Sequence, residues 1–298
     1  MALRPIVPAL IILVSFAFPK LVPERWIFIA VLTLYYIMLS TGWNIIAGYT
    51  GRMSFATAGF SSLGAYTSAL LVVNLKVPIL LGIAVAMAVA FAVGYGLGVI
   101  VLRLRGPYLA MTTLAFAQIF TIVVTVEWRY TRGGLGLPTP RLFLGTSYMP
   151  YYYTFLLLSL ALMGITYLIM RSKIGLFLRA IRDDDEAASA MGIPVVKWTL
   201  FAFALSGLYA GLAGALYAHM VFIVTPTIGH LSEMGLIIVM TVVGGSGTIV
   251  GPIVGAIIVE TVSEFLREFQ ALQVAIFAAL LVIVIRFFRE GIVGLIAR

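Results

Sequence analysis

Side chains able to do chemistry are sparse in this sequence, and their spacing narrows what the chemistry is. Glu260 and Glu264 stand at i and i+4, with Arg267 three residues further on, so a helix would carry both carboxylates on one face. Such a pair could form a mouth that receives a solute or a soluble partner; a solvated helix end with local ion pairs is the plainer reading. No chain of acids accompanies His219 and His230, so an interfacial or hydrogen-bonded histidine is the default for each. There is no cysteine, no Gly-x-x-x-x-Gly-Lys-Ser/Thr phosphate loop, no zinc-type His/Glu spacing and no serine elbow. Those absences exclude disulfides, a thiolate metal site and ATP hydrolysis through a phosphate loop in this chain. They also make an enzyme a poor fit.

The longest polar interruption runs from Arg171 to Lys197 and contains Arg171, Lys173, Arg179, Arg182 and Lys197. Within it, Asp183 to Asp185 can cap the N-terminus of a short helix and complement its dipole, Gly192 suits a left-handed closing position, and Pro194 stops continuation. A helix over about 183–193 would present Ala187, Ala188, Ala190 and Met191 beside charged neighbours. Small side chains permit close approach, so this helix could enter a groove on a soluble partner. The bland alternative is a solvated loop that merely carries positive charge.

Glycines form two further groups. Gly48, Gly51, Gly59 and Gly64 flank the start of one apolar run, with Ser54 among them; Gly244, Gly245, Gly247, Gly251 and Gly255 surround a break between two others, with Ser246 and Thr248 alongside. Glycine permits close helix approach or lets the backbone leave helical geometry where polar groups face a cavity. Packing is the expectation for Gly59, Gly64, Gly211 and Gly214; a place on a solute path is the expectation for Gly48, Gly51, Ser54 and Gly244 to Thr248.

The elements that must position these groups are apolar. The chain of 298 residues is 62% hydrophobic and 10% charged, where a soluble domain carries about a quarter charged residues. Apolar runs lie at about 5–19, 26–47, 54–74, 77–102, 107–126, 150–170, 198–222, 232–244, 249–265 and 271–288. At about 20 residues per crossing these predict one all-α polytopic membrane domain over residues 1–298 with roughly ten spans. The run at 5–19 has the length of a signal-peptide core but no small-residue cleavage site before Lys20, and is read as a retained first helix. The eighth run is short for a full span and is expected to be broken or re-entrant.

The net charge of +8 does not indicate a nucleic-acid binder, because the basic residues punctuate apolar runs instead of gathering on one solvated face. They fit the excess of Lys and Arg in cytoplasmic loops. Placing 171–197 and the C-terminal Arg286, Arg289 and Arg298 inside puts Arg4, Arg52, Arg103 and Arg105 inside as well, with both termini cytoplasmic. Lys20, Arg25, Lys76, Arg129, Arg132, Arg141 and Arg267 then lie outside, and Glu260 and Glu264 stand near the outer mouth. Five crossings per half would make the two halves inverted repeats, as in many transporters, although their sequence similarity is weak.

The stretch Glu186-Ala-Ala-Ser-Ala-Met-Gly192 resembles the EAA loop of ABC-importer permeases, and Ile174-Gly175, Arg179-Ala-Ile-Arg182 and Met191-Gly-Ile193 around it are similar to the version in Liv-type branched-chain amino acid permeases. The isoleucine-x-leucine-proline ending of the general EAA pattern is absent. Further matches run in family order over roughly residues 40–260: Gly48-Tyr-Thr-Gly51 to Gly64-Ala-Tyr66, Arg103-Leu-Arg-Gly106 with Tyr108, Thr113-Leu-Ala-Phe116, Gly133-Gly-Leu-Gly-Leu-Pro138, Ala210-Gly-Leu-Ala-Gly-Ala-Leu-Tyr217 and Gly244-Gly-Ser-Gly-Thr-Ile-Val-Gly-Pro252. The Arg-Gly-x-Tyr and Gly-Leu-Pro elements resemble the M-type subunit more than the H-type.

This resemblance implies a multi-pass permease of a prokaryotic plasma (inner) membrane that carries branched-chain or related amino acids. It implies two cytoplasmic ABC ATPase subunits, a second, H-type permease, and a periplasmic or tethered substrate-binding protein as partners, with ATP bound on the ATPases and no cofactor on this chain. Arg179, Arg182, Glu186, Ala187, Ala188 and Gly192 would make up the ATPase-coupling loop. Urea, short amides and aromatic acids are the alternative solutes, and an ion-coupled secondary carrier the alternative of a different class.

Overall fold

The computed structural model describes residues 14–104, 106–145, 147–266 and 291–296. Its long helices start and stop where the chain chemistry requires. Helix α1 (Glu24–Thr50) begins after Pro23, carries Glu24 in its first turn, and ends at Gly51 with φ +70°. Helix α2 (Thr57–Leu75) ends on Lys76 in the left-handed region, α3 (Ile79–Val101) follows Pro78, and α4 (Pro107–Val126) opens on a proline that has no amide hydrogen to lose. After the single-turn α5 (Trp128–Thr131) and a long loop come α6 (Met149–Arg171), α7 (Lys173–Asp183), α8 (Asp185–Ala190) and α9 (Val195–Val221). The described chain closes with α10 (Leu231–Gly244), α11 (Gly251–Leu266) and α12 (Gly291–Ile296).

Among the described residues six helices, α1, α2, α3, α4, α6 and α9, are long and apolar enough to cross a membrane. They coincide with the predicted runs from 26–47 through 198–222. The runs at 232–244 and 249–265 correspond to α10 and α11. The run at 5–19 is described only from Val14, and 271–288, with Arg267, Arg286 and Arg289, lies outside the described residues, as do Arg4, Arg105 and Arg298.

Helices α1 and α9 are central: 72% and 89% of their most apolar stretches are buried, against 33% for α3 and α6 and 28% for α4. In lipid the hydrophobic effect does little to join helices, and close backbone approach must supply the attraction. A Cβ on Gly64 of α2 would stand 2.6 Å from Gly211 Cα of α9, and a Cβ on Gly214 would stand 2.7 Å from the Ser61 carbonyl carbon. These glycines, with Gly59 against Ala117, are packing positions, as expected from the sequence.

Between α9 and α10 the chain turns at Phe222, pairs Ile223–Val224 (β2) antiparallel with Leu137–Pro138 (β1), and makes a 3-10 turn at Pro226–Gly229 that packs against α2 and α4. Non-helical backbone at membrane depth is tolerated where protein covers it. Helix α10 then starts midway along the bundle, with Leu231 and Ser232 exposed: Glu233 in its first turn bonds to Tyr36, which lies twelve residues into α1, roughly 18 Å from its start at 1.5 Å per residue. With 14 residues α10 is a half-length helix, in keeping with the broken element expected there.

The connections 51–56, 102–106 and 172–194 meet at one end of the bundle, where they border a single cavity. This end is the proximal face. The opposite, distal face carries the starts of α1 and α6, joined by the Tyr148 amide donating to Glu24 Oε2 at 3.1 Å.

Candidate functional site

The basic stretch that opens the proximal loop is itself a helix, α7, ahead of the short helix expected from Asp183 onward. Ser172 Oγ caps α7 by accepting from the Ile174 amide, and Gly175, Leu178 and Ile181 form its buried stripe. Asp184, the middle of the three candidate caps, accepts at Oδ1 from the Glu186 amide (2.8 Å) and the Ala187 amide (3.0 Å) and so starts α8 separately. The expected helix over 183–193 is therefore confined to 185–190. Its C-terminus closes as a Schellman turn: Gly192 takes φ +84°, its amide reaches Ser189 O at 2.9 Å, and the Ile193 amide reaches Ala188 O at 3.0 Å. Ala188 is buried, while Glu186, Ala187 and Arg179 are exposed and Met191 is 82% exposed.

Two arginines tie this loop to the end of α1. Arg182 Nη1 donates to Gly48 O at 2.7 Å, and Arg52 Nη2 pairs with Asp185 Oδ2 at 2.7 Å, with the two side chains only 10% and 23% exposed. Gly51 lies against Arg182, where a Cβ would stand 3.2 Å from its Cγ. Gly247 is also needed as glycine: its φ is +76°, and a Cβ there would run into Arg182 Nη1 and stand 3.1 Å from Gly48 O. Asn44 fastens the same loop, accepting from the Gly247 amide at 2.8 Å and donating to Thr248 O at 2.7 Å. Thr248 Oγ1 in turn bridges Gly245 O and the Gly251 amide, linking α10 to α11.

Gly48, Gly51, Gly247, Thr248 and Arg182 thus come together. Gly244 does a different job, since a Cβ there would overlap Gly251 O and stand 2.8 Å from Gly255 N. It sets the crossing of α10 and α11. Ser54 is fully buried beside the cluster; its carbonyl accepts from Trp43 Nε1 at 2.8 Å and its hydroxyl from the Ala56 amide at 3.3 Å. Ser246 is half-buried in the loop between α10 and α11.

A cavity of about 840 Å³ opens beside this cluster, lined by Arg52, Leu109, Arg182, Asp185 and, at its inner end, Ile238 of α10. That volume is in the range of small-molecule pockets. The described walls mix charged side chains at the proximal face with apolar ones further in.

Glu260 and Glu264 part company. Glu264 pairs with Arg25 at 2.8 Å, a partner 239 residues away on the distal face; Arg267 lies outside the described residues. Glu260 is only 7% exposed and faces the interior. His219 is a hydrogen-bonded core residue, with Nε2 2.9 Å from Ser68 Oγ and Nδ1 2.8 Å from Pro140 O.

Sequence reasoning missed Tyr36, Asn44, Asp185 as a partner of Arg52, and Glu233. Tyr36, Ser40, Asn44 and Gly48 recur every four residues on α1, and each touches the α10–α11 unit or Arg182: Tyr36 OH donates to Glu233 Oε2 at 2.9 Å, and Ser40 O accepts from Thr241 Oγ1 at 3.5 Å. Such a polar ridge in an otherwise apolar helix was the available signal.

The sequence profile of the family described as branched-chain amino acid transport system / permease component matches residues 26–285. The high-affinity branched-chain amino acid transport system permease protein LivM of Escherichia coli K12 is 30% identical over 313 residues, covering 95% of this chain and 73% of that protein. LivM of Salmonella typhimurium is 29% identical over 311 residues with the same coverage, and a probable branched-chain amino acid transport permease protein LivH of Methanocaldococcus jannaschii is 36% identical over 112 residues, 38% of this chain and 35% of that protein. No solved structure gives a significant match.

Proposed function

This chain belongs to the family of branched-chain amino acid transport system permease components, and on that premise we propose that it is the M-type membrane subunit of an ABC importer for branched-chain or related amino acids. The observation that carries the reading is the union of α7 and the capped α8 with the end of α1 and the α10–α11 loop, through Arg182 of α7 and the Arg52 pair with Asp185 of α8. The proximal face is the cytoplasmic side of a prokaryotic inner membrane, and two ATPase subunits dock on α7 and α8. Exposed Leu176 and Met191 beside charged residues make that surface fit for a protein partner. ATP and its chemistry stay on those subunits; an H-type permease completes the path, and a periplasmic or tethered binding protein delivers the solute to the distal face.

In this mechanism a displacement of α8 pulls on Arg182 and Arg52, moves the end of α1 against Gly247, and changes the width of the cavity that ends at Ile238. Rigid helices transmit the shift because packed interfaces switch between discrete arrangements and do not deform smoothly. Affinity purification of the tagged chain from mild detergent tests the reading. ATP-binding subunits and a second permease in the eluate, with ATPase activity, are the expected result; a lone chain after a verified gentle extraction would favour an ion-coupled carrier.

A further inference from the structure

Glu233 is a half-buried ionisable side chain midway along the length of the bundle, and the function just proposed does not use it. It sits in the first turn of a helix that begins roughly 18 Å along α1, and its carboxylate is held by Tyr36 OH at 2.9 Å. Among the described residues it forms no ion pair. A charged group at bilayer centre costs several kcal/mol unless something compensates it, which marks such a residue as functional. Glu260, only 7% exposed, belongs to α11, which packs against α1. Aromatic rings cluster beside Tyr36: Tyr35 stacks on Tyr217 with centroids 4.7 Å apart and meets Tyr36 edge-on at 5.1 Å.

An orphaned hydroxyl points to an occupant. Ser40 Oγ is fully buried and, among the described residues, has no hydrogen-bond partner. Ser40 stands one turn from Tyr36 on the polar ridge of α1. Buried polar groups are rarely left unsatisfied without a ligand or water to complete them. The cavity that opens on the proximal face ends at Ile238, five residues and about 7.5 Å along α10 from Glu233.

We propose that Glu233 and Glu260, with the Tyr35, Tyr36 and Tyr217 rings, form a binding station for a primary ammonium group midway along the solute path. Carboxylates and aromatic faces together suit a cation that carries an apolar tail. The station rests on the permease reading and deepens it: it takes the amino end of a solute while the apolar walls take the side chain, and it discriminates against amides and acids that lack a charged amine.

The test uses the full chain purified with its partner subunits in nanodiscs, and radiolabelled 3-methylbutylammonium as probe. The expected result is saturable binding that 4-methylpentanoate does not displace. That binding should weaken about tenfold or more in Glu233→Gln and in Glu260→Gln, and stay unchanged in the exposed Glu127→Gln. Tyr36→Phe, which removes one hydroxyl and keeps the ring, serves as the variant least able to disturb folding, and should weaken binding by a smaller factor. No saturable binding, wild-type binding by the glutamine variants and Tyr36→Phe, displacement by the acid, or displacement by sodium ion would each overturn the station. Failure of amine binding with ATPase subunits attached sinks the station alone, whereas amine binding by a chain that retains no ATPase subunit sinks the importer and keeps the station.

Discussion

Arg182 reaches back from the end of α7 and donates from Nη1 to the carbonyl oxygen of Gly48 at 2.7 Å, so the loop outside the bundle is anchored on the backbone of its central helix. The carbonyl belongs to the last turn of α1, where helical acceptors lack partners and a cation is favoured by the dipole. Replacing Arg182 by Met keeps the aliphatic stem and removes the charged hydrogen bond, which is worth about 1.5–3 kcal/mol. Uptake by the assembled importer should fall, while ATP hydrolysis continues without matching transport. Equal transport-to-hydrolysis ratios in Arg182→Met and wild type would refute the coupling role.

Gly48 predicts a steric result at the same junction. A Cβ there would overlap Asn44 Oδ1 and stand 2.6 Å from Gly247 N, both fixed by hydrogen bonds. Gly48→Ala should therefore destabilise the protein by about 1–3 kcal/mol through overpacking. A Cβ on Gly96 of α3 would meet nothing within 4 Å among the described residues outside its own turn, so Gly96→Ala should leave the melting temperature unchanged or raise it. Thermal unfolding of the two variants in detergent makes the comparison; a Gly48→Ala melt no lower than Gly96→Ala would remove the junction from the argument.

Asn44 tests the same loop through polarity. Its side chain satisfies the Gly247 amide and bonds Thr248 O, two main-chain groups inside the bundle. Asn44→Leu is close in volume and leaves both backbone groups unpaired, at a cost of about 1–3 kcal/mol for each one that water cannot reach. Increased protease cutting or amide exchange in 245–250, with the distal face unchanged, is the expected signature.

The loop chemistry was legible because it is local. Asp184, Gly192 and Pro194 announce a short helix within ten residues, and the observed cap and Schellman turn use the first two as backbone physics requires. The six long helices were legible because a lipid-crossing helix needs a continuous apolar run and nothing distant. Glu233 was not, since it heads an apolar run and reads as a solvated end; only the inward course of residues 222–230 carries it to Tyr36. The long-range partner of Glu264 was not legible either. The spacing of Glu264 from Glu260 suggested a shared role, yet one turn of helix separates a buried carboxylate from one bridged to Arg25 across the tertiary fold.

The Gly192 turn and Glu186 separate docking from folding. Among the described residues a Cβ on Gly192 meets no neighbour within 4 Å, and its φ is +84°, so the effect of Gly192→Val lies in the backbone. A β-branched residue disfavours the left-handed region by about 1–2 kcal/mol, enough to open the turn that ends α8. Asn tolerates that region, so Gly192→Asn should retain function where Gly192→Val loses it. Glu186→Lys places a positive charge in the first turn of α8, an unfavourable dipole interaction of about 0.3–1 kcal/mol that leaves the spans untouched. Both Gly192→Val and Glu186→Lys should reach the membrane at wild-type levels and fail to retain the ATPase subunits. Normal uptake by both, with Gly192→Asn no different from Gly192→Val, would mean that α8 is a solvated loop.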